Sequence, residues 1–92
     1  MDDATFHRIC RALADPRRLA ILEHIAQHEE RCCSSLLDEF PISQPTMSHH
    51  LKELSVAGLV DVRREAKFGY YHCQREILRE FTQEITRRFT LA

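Results

Sequence analysis

Residues 43–60 read SQPTMSHHLKELSVAGLV, and the reading of this run decides the fold. Ser43 offers a hydroxyl that can cap a helix, and Pro45 falls inside the first turn, where a missing N–H does no harm. Met47, Leu51 and Leu54 recur at i, i+4 and i+7, a buried stripe that leaves Gln44, Thr46, Ser48, His49 and Lys52 facing outward. Gly58 supplies a left-handed cap at the far end. Upstream, a brief helix over Cys33 to Glu39 carries Leu36 and Leu37, with Phe40 following. Pro41 stops it, because a residue before proline is pushed out of helical geometry. Two helices joined by the short turn Phe40 to Ile42 have the form of a helix-turn-helix.

The flanks extend this unit. Phe6, Ile9 and Leu13 recur at helical spacing over Asp3 to Ala14 and predict a first amphipathic helix. Asp15 followed by Pro16 is a start signal for a second. That helix has Leu19, Leu22, Ile25 and Ala26 on one face and ends in the polar run His28 to Arg31. Beyond Gly58, Val60 and Val62 alternate with Asp61 and Arg63 within Leu59 to Arg64, and FGYYHC spans Phe68 to Cys73. The two runs, separated by Glu65, Ala66 and Lys67, predict a hairpin with Arg64 and Lys67 at its tip. A last helix over Arg75 to Phe89 places Ile77, Phe81, Ile85 and Phe89 at i+4 intervals.

The predicted fold is therefore mainly α with a β-hairpin wing, in the order α-α-α-α-β-β-α, as a single winged helix-turn-helix domain over residues 1–92. The apolar stripe of the last helix is too long for so small a core to cover. Pairing it across a two-fold axis predicts a homodimer through the first and last helices, with two reading helices one turn of DNA apart.

Apolar residues make up 43% of the chain and charged residues 29%, which fits a folded domain and argues against disorder. A net charge of -1 gives no global electrostatic case for nucleic acid, so any such contact has to come from local patterning. The N-terminal MDDATFHRIC lacks the cationic region and apolar run of a signal peptide, and no segment approaches membrane-spanning length. The expectation is a cytoplasmic protein whose Cys10, Cys32, Cys33 and Cys73 are mostly reduced, without a structural disulfide framework. No nucleophile–base pair motif, H-E-x-x-H or glycine-rich phosphate loop is present, so neither an enzyme nor a bound cofactor is expected. A thiol peroxidase or reductase working through the paired cysteines is the enzymatic rival, and a winged helix used purely for protein contacts is another alternative.

For double-stranded DNA, side chains near the start of the second helix of the motif must reach base edges in the major groove. Candidates are Ser43, Gln44, Thr46, Ser48 and His49, with Lys52 further along, while Arg63, Arg64 and Lys67 on the wing would meet the phosphate backbone or minor groove. Between Ser43 and His72 four cations, Lys52, Arg63, Arg64 and Lys67, stand against Glu53, Asp61 and Glu65. That weak balance predicts modest non-specific binding. Tyr70 and Tyr71 read as packing residues. His24 and His28, at i and i+4, read as a solvated face in the absence of further ligands, and His50 is left unassigned.

Three runs, ALADPRRLAIL (Ala12 to Leu22), SQPTMSHHLKELSVAGLV (Ser43 to Val60) and RREAKFGYYH (Arg63 to His72), resemble the bacterial ArsR/SmtB family of winged-helix repressors. The resemblance covers nearly the whole chain. It implies a homodimer that binds a palindromic operator and leaves it when an inducer alters the protein. The chain departs from that family's C-x-C metal signature: Cys32 falls on the first cysteine, Cys33 on the intervening place and Ser34 on the second. The last-helix metal site of other members needs Asp and His, and Arg75 to Ala92 contains neither.

Cys32 and Cys33 are the effector candidates. A helix N-terminus and the neighbouring Arg31 favour thiolate in both. Adjacent Cα atoms lie about 3.8 Å apart, below the usual disulfide range, so a bond between the two would be strained and easily reduced, which suits a reversible oxidative switch. The alternative is capture of arsenite, antimonite or mercury by the same thiolates, with Cys10 as the third sulfur that the family geometry implies. Cys10 and Cys73 otherwise read as core residues.

Overall fold

The computed structural model describes residues 1–91. Helix α1 (Asp3–Leu13) opens on Asp2, whose carboxylate accepts the Thr5 N–H at 2.8 Å, and α2 (Pro16–Ala26) opens on Asp15, which accepts the Arg18 N–H at 3.0 Å. A two-residue strand β1 (Arg31–Cys32) leads into α3 (Cys33–Glu39), and α4 (Gln44–Val56) follows the turn. Strands β2 (Val60–Glu65) and β3 (Phe68–Cys73) form the wing, and α5 (Arg75–Arg88) closes the chain.

Helix α4 behaves as its residues dictate. The Ser43 hydroxyl accepts the Thr46 N–H at 3.4 Å at one end. At the other, Gly58 has φ +78°, the Leu59 N–H reaches the Leu54 carbonyl at 2.9 Å and the Gly58 N–H reaches Ser55 at 3.0 Å. Those two bonds make a Schellman cap, a geometry that glycine enters without a Cβ penalty. Met47, Leu51 and Leu54 are fully buried against Ile9 of α1, Ile21 and Ile25 of α2, Leu36 of α3 and Leu59.

Three features differ from expectation, and a fourth places His50, which the sequence left unassigned. The segment before Cys33 is not merely a polar exit from α2: β1 pairs antiparallel with β3, Arg31 opposite Tyr71 and Cys32 opposite Tyr70, giving a three-stranded sheet in the order β1-β3-β2. Glu65 belongs to β2, opposite Phe68, so the wing turns through Ala66 and Lys67 alone. His24 and His28 are half-buried rather than solvated, the His28 Nδ1 lying 2.9 Å from the His24 carbonyl. His50 is buried beside Met47 and Leu51 on the inner face of α4, its Nδ1 without a partner, and burial holds its pKa below the ordinary value.

Ala66 holds φ +54° at the first position of that two-residue turn, a conformation that costs a residue with a Cβ about 1–2 kcal/mol. Ala66→Gly is expected to raise stability by roughly 0.5–1 kcal/mol, net of the greater freedom glycine gains in the unfolded chain, as read from the urea unfolding midpoint.

Helices α1 and α5 pack together through Phe6 and Phe81, stacked 5.2 Å apart, with the Arg88 guanidinium 3.9 Å from the Phe6 ring centroid. The stripe of α5 is half-buried at Ile77, Phe81 and Ile85 and leaves Phe89 67% exposed. The buried residue of this helix is Glu84, which accepts from Arg87 and from Arg88 Nε at 3.0 Å, while Arg88 also reaches Asp3 at 2.6 Å. The Arg87 hydrogen bond, helped by Arg88, holds the Glu84 carboxyl down to about 2. Because its pKa is lower folded than unfolded, its contribution is complete above the unfolded value near 4.5 and is lost as pH falls through about 2. Glu84→Gln is expected to lower the thermal midpoint at neutral pH and to converge with the parent chain near pH 2.

Candidate nucleic-acid interface

Gln44, Ser48 and Lys52 stand one turn apart along α4 and face the wing. From the sheet, Val62 and Arg64 of β2 and Tyr71 of β3 complete the walls of an open cleft of about 450 Å³. The pairing of Val62 with Tyr71 and of Arg64 with Gly69 sets this arrangement. A Cβ on Gly69 would lie 3.1 Å from Arg64 Nη1, so glycine leaves room for the guanidinium to lie over the strand.

The cleft is lined by the cations Lys52, Arg64 and Lys67 and by no carboxylate. Glu53, Asp61 and Glu65, which offset these cations in the sequence, are not among the lining residues. The local field is therefore positive although the chain carries a net -1. Lys67 sits at the wing tip with its Nζ 5.7 Å from the Phe68 ring centroid.

Not every candidate joins this surface. Arg63 points to the other face of the sheet, as alternation along a strand requires, where it meets Glu30 at 2.7 Å and Glu65 at 2.5 Å and lies over the Tyr70 ring at 4.6 Å. Those carboxylates hold its pKa above the ordinary value. The expected grouping of Arg63 with Arg64 and Lys67 is thus corrected: Arg63 braces the wing against the segment before β1. Ser43 and Thr46 are exposed but tied to each other, the Ser43 hydroxyl donating to Thr46 Oγ1 at 3.0 Å. His49 is exposed on the adjacent row of α4. Tyr71 and Gly69, read from sequence as packing or left aside, line the cleft, and their positions opposite Val62 and Arg64 follow from strand register.

A second recess, of about 290 Å³, adjoins the first and shares Cys33, Gln44, Lys67 and Gly69 with it. Cys32, Ser34 and Leu37 are among its remaining residues. The two thiols are not equivalent. The Ser34 hydroxyl lies 3.4 Å from Cys32 Sγ, and this contact, with the Ser34 backbone N–H, holds the Cys32 pKa below its ordinary value. Burial pushes the Cys33 thiol up, and the neighbouring Cys32 adds to the effect. The expectation that both would favour thiolate is corrected for Cys33. Cys73 is fully buried in the core, Cys10 is half-buried on α1, and among the described residues no group of three His, Cys, Asp or Glu side chains is placed to hold a metal ion.

A capped helix-turn-helix whose second helix borders a cation-lined cleft against a β-wing defines a winged helix-turn-helix module. A helix-turn-helix domain family matches residues 13–63. An uncharacterized HTH-type transcriptional regulator of Methanocaldococcus jannaschii is 41% identical over 64 residues, 70% of this chain and 72% of that one. The arsenical resistance operon repressor of Staphylococcus xylosus is 38% identical over 77 residues, 84% of this chain and 73% of the repressor. Among solved structures, the homodimeric winged helix-turn-helix DNA-binding domain from Mycobacterium bovis, described as a possible ArsR-family regulator, superposes with a TM-score of 0.76 at 29% identity over 96% of this chain and 87% of that domain. The chain belongs to the ArsR/SmtB family of winged helix-turn-helix transcription regulators.

Proposed function

We propose that this protein is a homodimeric repressor in the cytoplasm that binds a palindromic DNA operator through α4 and the wing. Gln44, Ser48, His49 and Lys52 address the major groove and Arg64 and Lys67 the flanking backbone, with Ser43 and Thr46 presenting the N-terminal end of α4. Dimerisation through α1 and α5 is supported by the exposed Phe89 and half-buried Ile85 at the end of the α5 stripe. No described helix is long and apolar enough to cross a membrane.

Release is governed by thiol chemistry at Cys32 and Cys33. The observation that carries this reading is that both thiols line a recess sharing Gln44 and Lys67 with the DNA-facing cleft. Peroxide oxidises the Cys32 thiolate to a sulfenic acid with loss of hydroxide, and the Cys33 thiol displaces water from it to form the disulfide. The strained bond distorts the junction of β1 and α3, against which α4 packs. Capture of a soft metalloid would need a third ligand, and among the described residues no third His, Cys, Asp or Glu side chain is placed to complete such a site.

Fluorescence anisotropy on DNA from the protein's own promoter tests this. The reduced protein binds, peroxide releases it and a thiol reductant restores it, and Cys32→Ser and Cys33→Ser each abolish the response. Binding indifferent to peroxide overturns the redox reading.

A further inference from the structure

Arg64, Lys67 and Lys52, the cations proposed for DNA, line a cleft that shares Cys33, Gln44, Lys67 and Gly69 with the Cys32–Cys33 recess, and the peroxide step itself makes no use of them. Peroxide is small and neutral and needs no cationic approach. A reactant that is itself an anion, large enough to occupy the 290 Å³ recess and extend toward the 450 Å³ cleft, would use every one of these features. Leu37 and Phe68 give the recess apolar walls, Gln44 can hydrogen-bond a carboxylate, and Gly69 lines both spaces without a side chain.

We infer that Cys32 is a site of S-thiolation by low-molecular-weight disulfides bearing carboxylates, and that the adduct lies in the cleft between α4 and the wing, where it competes directly with DNA. The inference rests on the thiol-switch reading and names its reactant. The Cys32 thiolate attacks one sulfur of the small disulfide; a new S–S bond joins Cys32 to that half, the old S–S bond breaks, and the other half leaves as a thiolate. No further oxidant is required, and excess small thiol reverses the exchange.

The surroundings of the two thiols favour Cys32 over Cys33. Cys32 has the Ser34 hydroxyl at 3.4 Å to stabilise its thiolate, whereas burial pushes the Cys33 thiol up. Resolution of the adduct by Cys33 would give the same vicinal bond that the peroxide route forms, so the adduct is isolated in Cys33→Ser, where that step is blocked. Its carboxylates then face Arg64, Lys67 and Lys52, the cations proposed for DNA. Release follows from occupation of the interface and neutralisation of its charge, with no rearrangement of the fold.

The test uses the full reduced chain, with glutathione disulfide as the anionic probe and bis(2-hydroxyethyl) disulfide as the neutral one. Adduct formation is followed by intact mass with peptide mapping, and each rate is referred to that of a free small thiol with the same probe. Glutathione disulfide is expected to modify Cys32 with a preference of about tenfold or more, the scale on which a charged cleft raises encounter rates. The preference should collapse in Arg64→Gln/Lys67→Gln and at high salt, with the fold of that variant checked by circular dichroism. The glutathione adduct of Cys33→Ser, which cannot form the vicinal bond, should no longer bind promoter DNA. Equal rates for the two probes, adducts mapping to another cysteine, or an adduct that still binds DNA would overturn the inference. If peroxide still releases DNA through the cysteine pair in any of these cases, the switch reading stands alone; if neither reagent affects binding, both fall.

Discussion

Gln44→Ala is expected to weaken operator binding by about 1–3 kcal/mol per half-site, and so by roughly 2–6 kcal/mol in a dimer that uses both copies. Gln44 is the first residue of α4 and is exposed, so its amide is free to pair bidentately with adenine, and its loss leaves Met47, Leu51 and Leu54 untouched. The Ser43 cap also remains, since it is made to Thr46 and not to Gln44. Thermal stability should therefore hold while affinity falls, and the loss should be largest on the cognate sequence. Lys67→Ala, at the wing tip, should instead weaken all sequences alike and reduce the slope of log affinity against log salt by about one per half-site. Anisotropy titrations of cognate and scrambled DNA at several salt concentrations separate the two patterns. Equal loss on both sequences for Gln44→Ala would remove it from base reading.

Leu54→Ala carries the largest expected cost to stability. Leu54 is fully buried, lies on the α4 stripe and supplies the carbonyl that accepts the Leu59 N–H in the Schellman cap, while Leu59 is itself fully buried in the same core. Truncation removes apolar contact and leaves a cavity beneath the helix, which costs about 2–5 kcal/mol. For a domain of this size each kcal/mol moves the melting temperature by roughly 4–8 °C. Val56→Ala, two residues on but 53% exposed, should stay within about 0.5 kcal/mol of the parent. Urea unfolding at one protein concentration makes the comparison, because the proposed dimer would make stability concentration-dependent.

The legible parts of this fold were those whose signal is local. Asp15 before Pro16, Ser43 before Gln44 and Gly58 after Ala57 mark helix ends through side chains and backbone angles that act within a few residues. The stripe Met47, Leu51 and Leu54 is likewise a property of one helix. His50 falls on that same buried face, three residues beyond Met47, but its residue type gave no assignment; tertiary packing decides its place. Strand β1 left no trace because two residues carry no period, and it exists only through its bonds to β3. The partnership of Arg63 with Glu30 joins residues 33 positions apart and has no local signature. In the cleft, the residue types of Gln44, Ser48, Lys52, Arg64 and Lys67 were readable, but the exclusion of Arg63 and the unequal thiols were not. Both depend on which face of a strand or helix the fold turns toward its neighbours.

The short pairing of β1 with β3 also has a topological meaning. Cys32 stands opposite Tyr70, so residues 33–69, which include the whole helix-turn-helix and the wing turn, form a loop whose two ends are clasped. The entropic cost of closing such a loop grows only by about 0.6 kcal/mol for each doubling of its length, so the clasp tolerates insertions within it far better than damage to its own few hydrogen bonds. Opening it frees both ends of the reading unit at once, and an amide-exchange experiment should find Arg31, Cys32 and their partners on β3 exchanging together, as one cooperative unit distinct from α1 and α5.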